Sequence, residues 1–332
     1  MRQLKLDEVG YLRNTRGRSI GLFITDRCPV GCAHCSVDSR PDSPSISDFA
    51  LFEAIIDEIR NRPEVEMVGI TGGEPFVERR GLALATERLA DSKHIVIYTS
   101  GVWANAEIPD WIRKVLRRAS CVFLSTDSFH AASIDDERFI RAARTIAEEA
   151  AWMVVQVLDI PAMVQRAERL LDQAFGDRVT DYVEFKRVIP LSAGRGEKIF
   201  LSKTGERWPG EVFPACDNVS AQMIRYDGIV TACCNEHVLM GWGSPRLRRQ
   251  CKTREELREA LDLFGADPLL QVVHRMGVGA LTMHPKYADL AKKEFRGMCD
   301  LCWAMQRRAD PLGDRSDRLL NAMAVMGGQI DR

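Results

Sequence analysis

The chain has 332 residues, 45% of them hydrophobic and 28% charged, the make-up of an ordinary globular enzyme, and the length predicts one large domain plus a smaller one. Lys and Arg total 46 against 47 Asp and Glu, a net charge of -1 that argues against a nucleic-acid or membrane-surface binder. No apolar run approaches the length of a membrane span and no signal-peptide pattern opens the sequence, so a cytoplasmic protein is expected.

In chain order, Ser19–Thr25 reads as a buried strand and residues 47–60 carry apolar side chains at helical spacing. Strand patterns follow at 65–71, 94–99, 121–126, 152–158 and 181–188. Helical patterns separate them at 80–90, 110–118, 135–150 and 162–174. Short apolar runs alternating with longer amphipathic stretches predict parallel strands joined by crossover helices. About six such units occur, fewer than the eight of a closed barrel, so a partial (β/α)6 TIM-like barrel is the predicted α/β fold. Regular alternation stops at Pro190–Gly196, which places a domain boundary after residue 197. Residues 198–332 are then a smaller α+β cluster-binding domain. It opens with a hairpin over 222–232 turning at Asp227-Gly228, and helical segments fill 253–295. The polar tail from Asp310 is expected to be loosely held.

The 10 cysteines are clustered in a long chain, a pattern that points to metal or redox chemistry rather than a disulfide scaffold. Cys28, Cys32 and Cys35 share one loop directly after the first strand, where α/β folds place their active sites. Such a triad arises by chance in about 1% of chains this rich in cysteine. Zinc needs a fourth ligand, and His34, adjacent to Cys35, is poorly placed to supply it. A four-iron cluster with one iron left open fits better. The second strand ends in Thr71-Gly72-Gly73-Glu74-Pro75, where two glycines permit close approach of a ligand and Glu74 offers a carboxylate suited to an ammonium group.

Together these residues resemble the radical S-adenosylmethionine (radical SAM) superfamily, with His34 in the slot of an aromatic residue. The resemblance implies that Cys28, Cys32 and Cys35 hold a [4Fe-4S] cluster whose open iron chelates S-adenosylmethionine. Gly72, Gly73 and Glu74 would then position the amino group of that cofactor. It also implies that Ser100, Ser125 and Asp127, at later strand ends, touch its ribose or carboxylate. Capping of loops and helices is the alternative role for those three. His130 and Phe129 are candidates to meet substrate. Lys186 or Arg187 on the last strand could pair with a carboxylate.

A second set, Cys216, Cys233, Cys299 and Cys302, can close a tetrahedral site for zinc or for iron and sulfide. Its C-x11-Gly-x4-C element resembles the auxiliary-cluster domains called SPASM and twitch, which implies a second [4Fe-4S] cluster. The adjacent Cys234 competes with Cys233 as ligand. Cys121 and Cys251 read as ordinary buried thiols. Glu236, beside this set, is a candidate general base, as is His237. The resemblance implies reductive cleavage of S-adenosylmethionine and hydrogen abstraction, most simply to modify a ribosomally made peptide by a crosslink, ring or epimer. A twitch-type dehydrogenase oxidising a small-molecule alcohol is the alternative. An external one-electron reductant is expected. Since 27 residues precede Cys28, a separate leader-binding protein or the C-terminal domain would recognise a peptide. A non-enzymatic iron-sulfur or zinc module would explain the cysteines, but not Thr71–Pro75 or the β/α repeat.

Overall fold

The computed structural model describes residues 2–131, 133–149, 151–200, 206–310 and 315–330. It divides into two compact units. The first comprises Met1–Arg13, Arg18–Leu201 and Ile224–Gly228; the second comprises Asn14–Gly17, Ser202–Met223 and Ile229–Arg332. Segments of the two units thus alternate along the chain. The hairpin tip joins the first unit for a clear reason. Asp26 accepts from both Arg225 guanidinium nitrogens, at 2.7 and 3.1 Å, and from the Tyr226 hydroxyl at 2.8 Å. The Tyr226 N–H donates to Phe23 O at 2.8 Å. A bidentate, buried ion pair of this kind fixes orientation as well as contact.

The first unit is an α/β layer. Strands β1 (Ser19–Phe23), β2 (Met67–Thr71), β3 (His94–Thr99), β4 (Cys121–Ser125), β5 (Trp152–Leu158) and β6 (Val183–Val188) are neighbours in chain order. Every pair is parallel, from Ser19 opposite Met67 in β1–β2 to Leu158 opposite Val188 in β5–β6. Parallel pairing brings all the strand C-terminal ends to one edge, which is where the loops carrying polar residues emerge. The crossovers form helices for local reasons. After β1, the helix Phe49–Arg60 is capped by Asp48, which accepts from the Leu51 N–H at 3.0 Å. It buries Phe52, Ile55, Ile56 and Ile59 along one face. One helix escaped the periodicity reading: Leu6–Asn14. Val9 and Leu12, with Leu4 just before it, pack on Met67, Cys121 and Trp152, which start β2, β4 and β5. The helix thereby closes the core beneath the strand N-terminal ends. Cys121 lies in that core as a buried thiol, as its position in an apolar strand predicts.

The second unit is α+β. Ile229–Thr231 pairs antiparallel with Arg248–Gln250, and Trp208–Pro209 with Glu294–Phe295. Its main helices are Arg254–Gly265, Pro268–Arg275, Met298–Gln306 and Arg318–Ile330. Thr253 and Asp267 cap the first two of these. The tail is not loose throughout. Arg318–Ile330 buries Leu320, Met323 and Ala324, and Arg275 donates to Ala324 O at 2.7 Å. Apolar residues at helical spacing, 320, 323 and 324, offset the polar stretch that precedes them. Among the described residues no helix is long and apolar enough to cross a membrane.

Candidate functional site

The loop after β1 carries Cys28, Cys32 and Cys35 at the C-terminal edge of the sheet. Its backbone is braced from several sides. The Cys28 N–H donates to Arg40 O at 2.9 Å, and Ser133 Oγ to Val30 O at 3.0 Å. Cys28 and Cys32 are buried and Cys35 is half-buried. Burial pushes the Cys28 thiol up to about 12, with a smaller push from Glu74. Such a sulfur becomes a thiolate only when a cation compensates it.

The Gly72-Gly73 pair lies directly against this loop. A Cβ at Gly72 would stand 2.6 Å from Thr25 O, and one at Gly73 only 2.4 Å from Arg27 O. The Gly73 N–H donates to Thr25 O at 2.7 Å and the Glu74 N–H to Arg27 O at 2.9 Å. The glycines therefore admit the chain's own backbone: the β1 and β2 loops are bonded edge to edge. Glu74 is fully buried and its carboxylate faces inward. Oε1 accepts from Thr99 Oγ1 at 2.8 Å and the Phe76 N–H at 3.2 Å. Oε2 accepts from Ser100 Oγ at 2.5 Å and the Ser100 N–H at 2.9 Å. Burial pushes the carboxyl up, while these four donors pull it down. Glu74 and Ser100 thus bind each other, tying the end of β2 to the end of β3.

Ser125 ends β4 and is half-buried. Asp127 follows it and is shared among internal partners. Its Oδ1 accepts from the Phe129 and His130 N–H groups at 2.8 and 3.0 Å, capping the turn. Its Oδ2 lies 3.0 Å from His130 Nδ1 and 3.4 Å from His34 Nε2. Burial would lower His130, but Asp127 and then Cys32 overcome it and raise it to about 10. Burial lowers His34, with Asp127 opposing. Among the described residues, His34, Asp127 and His130 form a potential metal-ligating trio, their ligand atoms within 4.8 Å of one another. An ion pair between Asp127 and protonated His130 already satisfies that carboxylate, so the trio reads as a brace between the β1 and β4 loops. The His34 ring packs 4.8 Å from Phe129. The His34 ring thus packs on Phe129 and also contacts Asp127.

One residue at this site was missed in sequence. Arg195 donates to Cys32 O at 2.9 Å, Ser39 O at 3.0 Å and Asp38 Oδ1 at 2.7 Å, and its N–H donates to Cys35 O at 2.9 Å. Gly194 makes this approach possible. Its φ is +54°, and a Cβ there would stand 2.5 Å from Cys35 O. The Gly-Arg-Gly run punctuates the sequence and reads as a boundary; its pairing with a loop some 160 residues earlier leaves no local trace. On β6, Arg187 lies 4.0 Å from Asp159 in an exposed pair.

The second unit holds the other set. Cys216, Cys233, Cys299 and Cys302 line one chamber together with Trp303 and Met298. Cys299 and Cys302 fall three apart on the helix Met298–Gln306 and so share a face. Cys234 is not among the residues lining that chamber; its sulfur lies 3.4 Å from Oδ1 of Asn218, which is. Asn235 Nδ2 donates to Cys299 Sγ at 3.5 Å. Burial pushes Cys299 and Cys302 up to about 12, and raises Cys216 and Cys233 as well. Four sulfurs lining one chamber are a donor set suited to a thiolate-bound centre, zinc or iron and sulfide alike. Glu236 begins a short helix capped by Asn235 and adds negative charge near Cys299. Cys251 is buried beside Glu256 O, away from the chamber lining.

Residues 22–155 match the Radical SAM superfamily. Over 87 residues the chain is 23% identical to YydG of Bacillus subtilis (strain 168), a protein named for peptide biosynthesis; the match covers 26% of this chain and 27% of that relative's length. Among solved structures, Streptococcus suis SuiB bound to precursor peptide SuiA aligns over 77% of this chain and 66% of its own, with 13% identity and a TM-score of 0.49. BtrN in complex with AdoMet and 2-DOIA aligns over 83% and 92%, with 14% identity and a TM-score of 0.44. The anSMEcpe structure with AdoMet and the Cp18Cys peptide aligns over 93% and 99%, with 15% identity and a TM-score of 0.48.

Proposed function

We propose that this chain, which carries a Radical SAM domain over residues 22–155, is an enzyme that modifies a ribosomally made peptide. The observation that carries the reading is the loop of Cys28, Cys32 and Cys35 at the C-terminal edge of the sheet, bonded to Gly72-Gly73 and clamped by Arg195. Cys28, Cys32 and Cys35 would hold a [4Fe-4S] cluster, which would supply the electron for reductive cleavage of S-adenosylmethionine and so the chemistry of hydrogen abstraction. The chain's own part is to hold and to shield. Cys28, Cys32 and Cys35 supply three thiolates. Glu74, Thr99 and Ser100 keep the β2 and β3 ends in register around the cofactor. Asp127, His34 and His130 close the β4 side of the same loop. The half-buried Ser125 and the carbonyl oxygens of Gly72 and Gly73 are left for S-adenosylmethionine, the Gly73 N–H being engaged by Thr25 O. Burial of this edge excludes water from a reactive radical.

We assign Cys216, Cys233, Cys299 and Cys302 to a second, auxiliary [4Fe-4S] cluster of twitch type. Four ligands leave no open iron, which suits electron transfer. The same feature supports a second reading, oxidation of a small-molecule alcohol. The peptide reading draws on the partial likeness to a protein named for peptide biosynthesis. A separate leader-binding protein and an external one-electron donor complete the proposed system, and Glu236 is the base candidate in the second unit. The test is anaerobic reconstitution with iron and sulfide, then assay for 5′-deoxyadenosine and for the mass of a peptide encoded beside the gene. The wild type yields 5′-deoxyadenosine and Cys28→Ala, Cys32→Ala and Cys35→Ala do not. No 5′-deoxyadenosine from the iron-loaded wild type overturns the enzyme reading. Its formation with a sugar alcohol oxidised and every peptide unchanged replaces the substrate class.

A further inference from the structure

In the second unit three buried side-chain nitrogens have no hydrogen-bond partner: Arg16 Nε, His274 Nδ1 and Gln306 Nε2. An orphaned buried donor costs roughly 1–3 kcal/mol, so three in one region call for a reason. All three residues surround the cysteine chamber. Arg16 lies within electrostatic reach of Cys233, Gln306 faces the Cys302 sulfur, and His274 bonds the Cys216 backbone. The first two are also held in place by their other atoms. Arg16 donates to Val219 O, and to Phe264 O at 2.6 Å. Gln306 Oε1 accepts from Arg246, which is anchored on Asp267 at 2.8 Å, so the amide nitrogen is the end left facing Cys302. Asn235 already donates to Cys299. Burial draws the Arg16 guanidinium down to about 10, and it stays charged at neutral pH. Asp267 gives this buried cation part of its counter-charge and four protonated thiols add none, whereas a thiolate-bound centre adds more and accepts from the orphaned N–H groups.

We propose that Arg16 and Gln306 donate to the sulfurs of the centre held by Cys216, Cys233, Cys299 and Cys302 and raise its reduction potential. The inference rests on the auxiliary-cluster assignment above. Reduction adds one negative charge to a centre that is already anionic. A fixed guanidinium and fixed N–H donors in a dry surrounding stabilise that reduced form more than the oxidised one. Glu236, Asp300, Asp217 and Asp267 oppose them from the same surroundings, and Arg275 adds to Arg16.

The test uses the full chain with Cys28, Cys32 and Cys35 replaced by Ala, reconstituted anaerobically, so that only the second site is loaded. Iron and sulfide analysis comes first: about four of each per chain supports the cluster assignment. Zinc or no metal there removes the assignment, and this inference with it. With iron bound, the midpoint potential is read by electron paramagnetic resonance during a reductive titration. Arg16→Met and Gln306→Leu each move it to more negative values, the double variant moves it further, and Arg16→Lys restores it. A full iron complement with an unshifted midpoint in both single variants overturns the inference while leaving the cluster assignment standing. If Arg16→Met fails to fold, Gln306→Leu alone decides by the same criterion.

Discussion

Glu74→Gln is the sharpest probe of how the site edge is built. Each carboxylate oxygen of Glu74 faces one backbone N–H, that of Phe76 or of Ser100, and one hydroxyl, that of Thr99 or Ser100. The hydroxyls can turn and accept from an amide. The backbone N–H groups cannot. The glutamine NH2 must therefore oppose one of them, and that donor loses its only acceptor in a fully buried place. The cost is roughly 2 kcal/mol for one orphaned N–H. For a unit of this size that lowers the thermal midpoint by about 6 °C. Glu74→Ala orphans both N–H groups and leaves a cavity, for a loss of about 4 kcal/mol or more. Thermal unfolding of the metal-free chain, followed by circular dichroism, measures both. A Glu74→Gln midpoint within about 1 °C of wild type, or equal losses in the two variants, refutes the bracket.

Three further outcomes follow from the geometry. Cys233→Ser loses the iron of the second site while Cys234→Ser keeps it, because Cys233 and not Cys234 lines the chamber; metal analysis after reconstitution reads the difference. Arg195→Ala removes donors from Cys32 O and Ser39 O, costs roughly 3 kcal/mol and speeds iron loss from the first site, measured by chelator competition. The Asp127–His130 pair predicts a pH dependence. His130 is raised from 6.5 to about 10 on folding, so its contribution is full below 6.5 and is lost as pH rises toward about 10. Thermal midpoints of the metal-free wild type fall relative to His130→Gln across that window, and parallel curves would show that the pair does not form.

Much of this protein is legible in its sequence, and the legible part is the local part. Alternating apolar runs and amphipathic stretches specify parallel strands with crossover helices, since burial on both faces of a strand and one face of a helix leaves a periodic record. The spacing of Cys28, Cys32 and Cys35 places three sulfurs on one loop, and the strand before it places that loop at the sheet edge. The helix Leu6–Asn14 escaped because a short element with two buried residues leaves too little pattern to read.

Only the tertiary structure decided which groups meet. Gly72 and Gly73 read as room for a ligand, yet their missing Cβ atoms make room for Thr25 and Arg27. Glu74 reads as a ligand for an ammonium group, yet Thr99 and Ser100 engage it from the next strand. Arg195 reads as part of a boundary, yet it grips the cysteine loop. Cys233 and Cys234 are adjacent and chemically identical, yet Cys233 lines the chamber and Cys234 lies beside Asn218. Periodicity reports how a residue sits relative to its neighbours in the chain. Hydrogen bonds and close packing depend on groups brought together from distant segments, and those partners exist only once the strands have taken their places.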